Sequence, residues 1–146
     1  MNDKFMNIAL GEAKKAYMVN EVPVGAIVVK NNEIIARAHN IKRKTNNILN
    51  HAEIVAINRA SKKINDWRLC DCEMYVTLEP CPMCAGAILE SRIKKIYIGS
   101  CSNIKNNSTV IRNILQNNEY NHFVEIEYLN NDKCSRVLSS FFEEKR

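Results

Sequence analysis

Through the first eighteen positions, apolar residues recur at spacings of three and four. Phe5, Ile8, Ala9, Ala13, Ala16 and Tyr17 share one side of a helix drawn over residues 3–18. The period then changes. VGAIVVK (24–30) and NEIIARA (32–38) are short apolar runs that read as strands, and the turn-prone pair Asn31 and Asn32 predicts a hairpin. Helical spacing returns from about residue 52 to 63, with Ile54, Val55 and Ile57 or Ala60 on the buried side. EMYVTL (73–78) predicts a buried strand, CAGAILESR (84–92) a helix with Pro82 in its first turn, and IKKIYIG (93–99) another strand. STVIRNILQN (108–117) is a short helix candidate. FVEIEYL (123–129) alternates as a strand does, with Glu125 and Glu127 toward water, and DKCSRVLSSFFEEKR (132–146) closes as an amphipathic helix.

The resulting order, αββαβαβαβα, predicts an α/β fold in which helices cover a mixed sheet. No repeat or linker divides the chain. Its 146 residues, 46% hydrophobic and 25% charged, suit one domain spanning 1–146 with its own core. Only the asparagine-rich stretch 103–131 reads as loose, because asparagine favours turns over element interiors. Apolar runs as short as GAIVV argue against a membrane span, and the N-terminal MNDKFMNIALGEAKK lacks the pattern of a signal peptide. A cytoplasmic protein is expected. In a reducing compartment disulfides are rare, so a Cys-x-x-Cys pair points to metal or redox chemistry. Cys70, Cys72, Cys101 and Cys134 read as ordinary thiols. The net charge of +5 suits an anionic partner, with basic clusters at Lys42, Arg43 and Lys44, at Lys62 and Lys63, and at Arg92, Lys94 and Lys95. Taken alone, such clusters are usually solvated surface.

The chemistry gathers where two predicted helices begin. NHAEIVA puts His51 and Glu53 at the start of one, and EPCPMC puts Cys81 and Cys84 at the start of the next. Helix N-termini carry partial positive charge and unpaired N–H groups, which favour thiolates and any anion held between them. By itself Cys-x-x-Cys is compatible with catalytic zinc, structural zinc or dithiol redox chemistry, and His-Ala-Glu with simple capping. Together, one imidazole and two thiolates suit Zn²⁺ with its fourth tetrahedral position left for water. His-x-Glu followed by Pro-Cys-x-x-Cys, with Cys81 28 positions after Glu53, is the signature of zinc-dependent nucleobase deaminases. Zinc brings the pKa of its bound water from about 15.7 to about 7, which supplies a nucleophile at neutral pH. Glu53, beside the metal but not bound to it, would carry a proton from that water to a ring nitrogen and later to departing ammonia. Were Glu53 a fourth ligand instead, the site would be closed and structural.

Over nearly its whole length the chain resembles the bacterial-type tRNA adenosine deaminases, which convert adenosine at wobble position 34 to inosine. The resemblance rests on EVPVGAIVV, His39-Asn40, HAEIVAI, NDWRL, MYVTLEPCPMCAGAILESRI and SSFFEEKR, in that order. It implies a cytidine deaminase-like three-layer fold with a central five-stranded sheet, and a homodimer with active sites near the interface. It also implies one Zn²⁺ per subunit on His51, Cys81 and Cys84, attack at C6 of adenine, and Glu53 as the proton shuttle. Asn40 and the backbone of Ala52 would hold the flipped base, and Val22, Pro23 and Val24 would wall the purine pocket. The partner would be a tRNA anticodon stem-loop, that of the arginine tRNA with ACG first among them. Lys105, Phe141, Phe142 and Arg146 are candidate RNA contacts, the two phenylalanines offering one core face and one face for stacking on a base. After Gly99 the chain departs from its relatives. Where an Asp-x-Lys-x-Gly-Ala type loop is usual, residues 102–107 read SNIKNN, without the acidic residue or the glycine. That difference bears on the grip on RNA and leaves the four chemical residues intact.

Other readings are weaker on these residues. A free-nucleobase deaminase, for guanine or cytosine, shares the Pro-Cys-Pro-Met-Cys motif, but the basic surface and the C-terminal helix argue against it. A catalytically silent zinc or RNA-binding partner subunit would be expected to lose the carboxylate at position 53, which is present. A dithiol oxidoreductase leaves His51 and Glu53 unexplained.

Overall fold

The computed structural model describes residues 2–145. Helix α1 (Asn2–Met18) turns Phe5, Ala9, Ala13 and Ala16 inward, the stripe that the spacing predicts, together with Met6 and Leu10. Strands β1 (Gly25–Lys30) and β2 (Glu33–His39) pair antiparallel with Lys30 opposite Glu33. Between them Asn31 and Asn32 have φ of 49° and 66°, the left-handed pair that a type I′ hairpin turn requires.

The basic run 42–45 forms a short helix, α2 (Lys42–Thr45), where the sequence pattern predicts no element. A non-local contact makes it. The buried Glu21 carboxylate accepts from the backbone N–H groups of Arg43 at 3.1 Å and Lys44 at 2.7 Å, satisfying donors at the start of the turn. The long helix α3 (Ala52–Ile64) follows, then β3 (Cys72–Val76), α4 (Pro82–Glu90) and β4 (Lys95–Ile98). The chain closes with α5 (Asn107–Leu115), β5 (Glu125–Tyr128) and α6 (Asp132–Glu144). Helix α5 lies within the stretch whose composition reads as loose, so asparagine content there marks the turns around a helix and not its absence.

The five strands form one mixed sheet in the order β2-β1-β3-β4-β5, antiparallel across β2-β1-β3 and parallel across β3-β4-β5. Alternation along β1 sends Ala26 and Val28 into a core with α3, α4 and α5, while Ile27 and Val29 pack with α1 and Cys134 of α6. The result is three layers, helix on sheet on helix. On α3 the buried apolar positions are Ala52, Val55, Ala56 and Ala60, whereas Ile54 and Ile57 are half-buried. The prediction for Ile54 therefore needs correcting. Alanines Ala26, Ala36 and Ala38 share that core, and small residues on both sides let the helix approach the strands closely. Among the described residues, no helix is long and apolar enough to cross a membrane.

Candidate active site

Helices α3 and α4 begin side by side, and their first residues carry the chemistry. His51 is the N-cap of α3, with φ −69° and ψ 154°, and Cys81 is the N-cap of α4, with φ −75° and ψ 169° and Pro82 immediately after it. Neither side chain caps its own helix. Both are free to turn toward each other. Cys84, one turn into α4, is fully buried. His51 Nδ1 stands 3.7 Å from Cys81 Sγ and 3.6 Å from Cys84 Sγ. Two ligands of one tetrahedral zinc, with Zn–N near 2.0–2.1 Å and Zn–S near 2.3 Å, stand about 3.6 Å apart. The donor set and its spacing fit that ion. Among the described residues, these three form the group whose ligand atoms converge within 4.8 Å.

Burial and hydrogen bonding set the protonation of this cluster. The neighbouring Cys84 leads in pulling the Cys81 thiol down to about 4, helped by His51. Its neighbour Cys81 and burial push Cys84 up. His51 is raised, chiefly by its bond to Cys81. Glu53, 4% exposed on the first turn of α3, has its carboxyl raised to about 7 by burial, with the Cys81 charge adding to the effect.

A cavity of about 190 Å³ opens on these groups, lined by His51, Ala52, Glu53 and Cys81. Val22, Val24 and Asn40 form another part of its wall, while Pro23 is buried between the two valines and does not line it. Asn40 is held in place by its own hydrogen bonds. Its Oδ1 accepts from Lys42 N at 3.2 Å, its Nδ2 donates to Val22 O at 3.4 Å, and its backbone N–H donates to Val24 O at 3.1 Å.

The remaining wall comes from residues that the sequence reading did not assign to the pocket. Lys42, Leu78 and Glu79 line the cavity, as do Ser102, Ile104 and Asn107 of the divergent segment. The signal available was indirect: a glutamate placed between a strand and Pro80-Cys81, and the departure of SNIKNN itself. Lys105, beside Ile104, is exposed and does not line the cavity. Phe141 is 5% exposed and packs edge-on against Tyr17 with centroids 5.6 Å apart, so its ring is closed to a nucleotide. Phe142 is 49% exposed and lines a second cavity that shares Leu78, Ser102 and Ile104 with the first. Arg146 lies outside the described residues.

The whole chain, residues 1–146, matches the family of MafB19-like deaminases. It is 42% identical over 146 residues to the tRNA-specific adenosine deaminase of Bacillus subtilis (strain 168), covering 99% of this chain and 91% of that protein. The chain belongs to the tRNA-specific adenosine deaminase family. The tRNA-specific adenosine deaminase of Aquifex aeolicus (strain VF5) is 42% identical over 142 residues, with 97% and 94% covered. A solved structure from work on A-to-I editing by tRNA:A34 deaminases at the wobble position of transfer RNA aligns with a TM-score of 0.85 at 35% identity, over 93% of this chain and 99% of that one. This deaminase thus has the cytidine deaminase-like fold, and it is a hydrolytic enzyme.

Proposed function

We propose that this deaminase converts adenosine to inosine at position 34 of a tRNA anticodon loop, with the arginine tRNA carrying ACG as its substrate. The observation that carries the reading is the meeting of His51, Cys81 and Cys84 beside a buried carboxylate at the floor of one small cavity. Sequence identity to tRNA-specific adenosine deaminases supports tRNA adenosine as the substrate.

His51, Cys81 and Cys84 hold one Zn²⁺. When bound, the metal acidifies a water from a pKa of about 15.7 to about 7 and so supplies the nucleophile. Glu53 moves the protons. Water adds at C6 of adenine and ammonia leaves, so a proton must reach the ring nitrogen first and the departing amine afterwards. A carboxyl group titrating near 7 can take and return that proton at neutral pH. Asn40 and the backbone of Ala52 hydrogen-bond the base, and Val22 and Val24 supply the apolar wall, with Pro23 packed between them. At about 190 Å³ the cavity is smaller than the roughly 300–1,000 Å³ of drug-sized pockets. It suits one flipped base with the rest of the loop outside. Phe142, exposed beside the second cavity, is the stacking candidate for a neighbouring nucleotide, and Lys105 meets backbone phosphate.

The same reading makes residues 1–146 one cytoplasmic domain that works as a homodimer. Ile48, Leu49 and Trp67, exposed at 65%, 52% and 60%, supply apolar surface for a second copy. The decisive experiment is inosine formation by zinc-loaded protein on an anticodon stem-loop bearing ACG, with free adenosine, guanine and cytosine run in parallel. Turnover of the RNA alone is expected. Turnover of a free base alone would make the protein a small-molecule deaminase.

A further inference from the structure

Glu79 is at least as buried as Glu53, at 3% exposure, yet the proposed chemistry gives it no task. It sits between β3 and α4, two residues before Cys81. Its carboxylate is saturated. Oε1 accepts from Asn107 Nδ2 at 2.9 Å and from Ser102 N at 3.4 Å, and Oε2 accepts from Ser108 Oγ at 2.5 Å and Tyr128 OH at 2.7 Å. A carboxylate offers about four lone-pair sites, so none remains for a substrate or a travelling proton. Glu79 can act only through what it holds.

What it holds is the stretch 102–108. Between the end of β4 and the start of α5 no ladder or helix fixes the backbone, and α5 begins at a left-handed Asn106 with no side-chain cap. Three of the four donors on Glu79 come from this stretch. Asn107 Nδ2 also reaches Pro80 O at 3.2 Å, and Glu79 N donates to Ser100 O at 2.8 Å. The loop is therefore tied, at both of its ends, to the two residues that precede Cys81. Ser102, Ile104 and Asn107 in turn line the cavity over His51 and Glu53, and Ser102 and Ile104 form the ridge shared with the second cavity.

We infer that Glu79 is a positioning residue that fixes the substrate-facing segment 102–108 against the start of α4, and so sets how tightly the enzyme takes the nucleotides around the reacting base. The inference rests on the proposed tRNA reading for its substrate but not for its geometry. Glu79→Gln replaces an acceptor with an N–H₂ group facing other donors. KM for the anticodon stem-loop is expected to rise about tenfold or more, with kcat within about threefold and one zinc per chain retained. In the Glu79→Gln, Asn107→Asp double variant the amide can donate to the new carboxylate, and KM should return toward that of the wild type. Should Glu79→Gln fail to fold, Asn107→Ala and Ser108→Ala carry the same expectation. Tyr128→Phe removes the donor from the β5 side and should leave KM in place.

Amide hydrogen exchange run alongside needs no substrate. In Glu79→Gln the amides of 102–108 should exchange about tenfold faster or more while those of α3 are unchanged. Unaltered exchange in 102–108 would overturn the inference, as would a loss confined to kcat or a Tyr128→Phe enzyme as impaired in KM as Asn107→Ala. A wild-type enzyme inert on the stem-loop would count against the tRNA reading alone, since the exchange result still decides the role of Glu79.

Discussion

Glu53 and Glu79 are both buried, and their surroundings push them in opposite directions. Around Glu53 burial dominates and raises the carboxyl to about 7. Around Glu79 burial also raises the pKa, but hydrogen bonds from Ser108, Asn107 and Tyr128 outweigh it and hold the group below its ordinary value. One carboxyl is left able to exchange a proton and the other is fixed as an anion. Replacing Glu53 with Ala is therefore expected to lower turnover by at least the roughly 10²–10⁴ that general acid–base catalysis contributes, with zinc content and RNA affinity kept. An active Glu53→Ala enzyme, read by inosine formation, would remove Glu53 from the mechanism. Cys84→Ser keeps the size of the side chain and weakens the thiolate donor. Metal analysis of the purified variant should find well under one zinc per chain, and full occupancy would count against the ligand set.

The elements meet under tighter limits than the hydrophobic pattern conveys. A Cβ on Gly25 would stand 2.0 Å from Ala9 O and 2.6 Å from Ala13 N, both backbone atoms of α1 that cannot rotate away. Gly25→Ala should then cost at or above the usual 1–3 kcal/mol or so of an overpacked core, seen as a lower midpoint in urea. An unchanged midpoint would mean that α1 is not seated so closely on β1. Beside that contact Glu12 of α1 pairs with Lys15 at 2.7 Å and with His39 of β2 at 3.2 Å. Burial opposes its ionisation, but the two partners prevail and its pKa lies below the ordinary 4.5. For a depressed carboxyl the stabilisation is present above the unfolded value and fades as pH falls through the folded one. The gap in Tm between wild type and Glu12→Gln should be widest above about pH 5 and close below pH 4.5; a gap independent of pH would mean that the ionised pair adds nothing. The same elements show why few glycines suffice. Among the described residues, seven of the nine non-glycine positions with positive φ are asparagines, including both hairpin residues and the C-caps of α2 and α3, in keeping with the tolerance of Asn for the left-handed region.

At the scale of the whole molecule, the two parallel crossovers bring the start of α4 beside the start of α3, so residues 30 positions apart in sequence share one site. On the outside of the fold Ile48, Leu49 and Trp67 stay exposed. With a homodimer, light scattering at micromolar concentration should give about twice 16.8 kDa. A mass of one chain across the dilution series would rule the dimer out and require these side chains to be plain surface.

The local pattern determined the order of elements, the helix α1 stripe, the Asn31-Asn32 hairpin and the identity of His51, Glu53, Cys81 and Cys84. Each of these is written in neighbouring residues, through side-chain period, backbone preference or a short motif. Helix α2, the burial of alanines and not isoleucines on α3, the closure of Phe141 and the four bonds on Glu79 were decided only by tertiary structure. They depend on partners such as Glu21 for Arg43, Tyr17 for Phe141, and Ser102, Asn107 and Tyr128 for Glu79. Those partners lie more than twenty positions away, where no local period or propensity can register them.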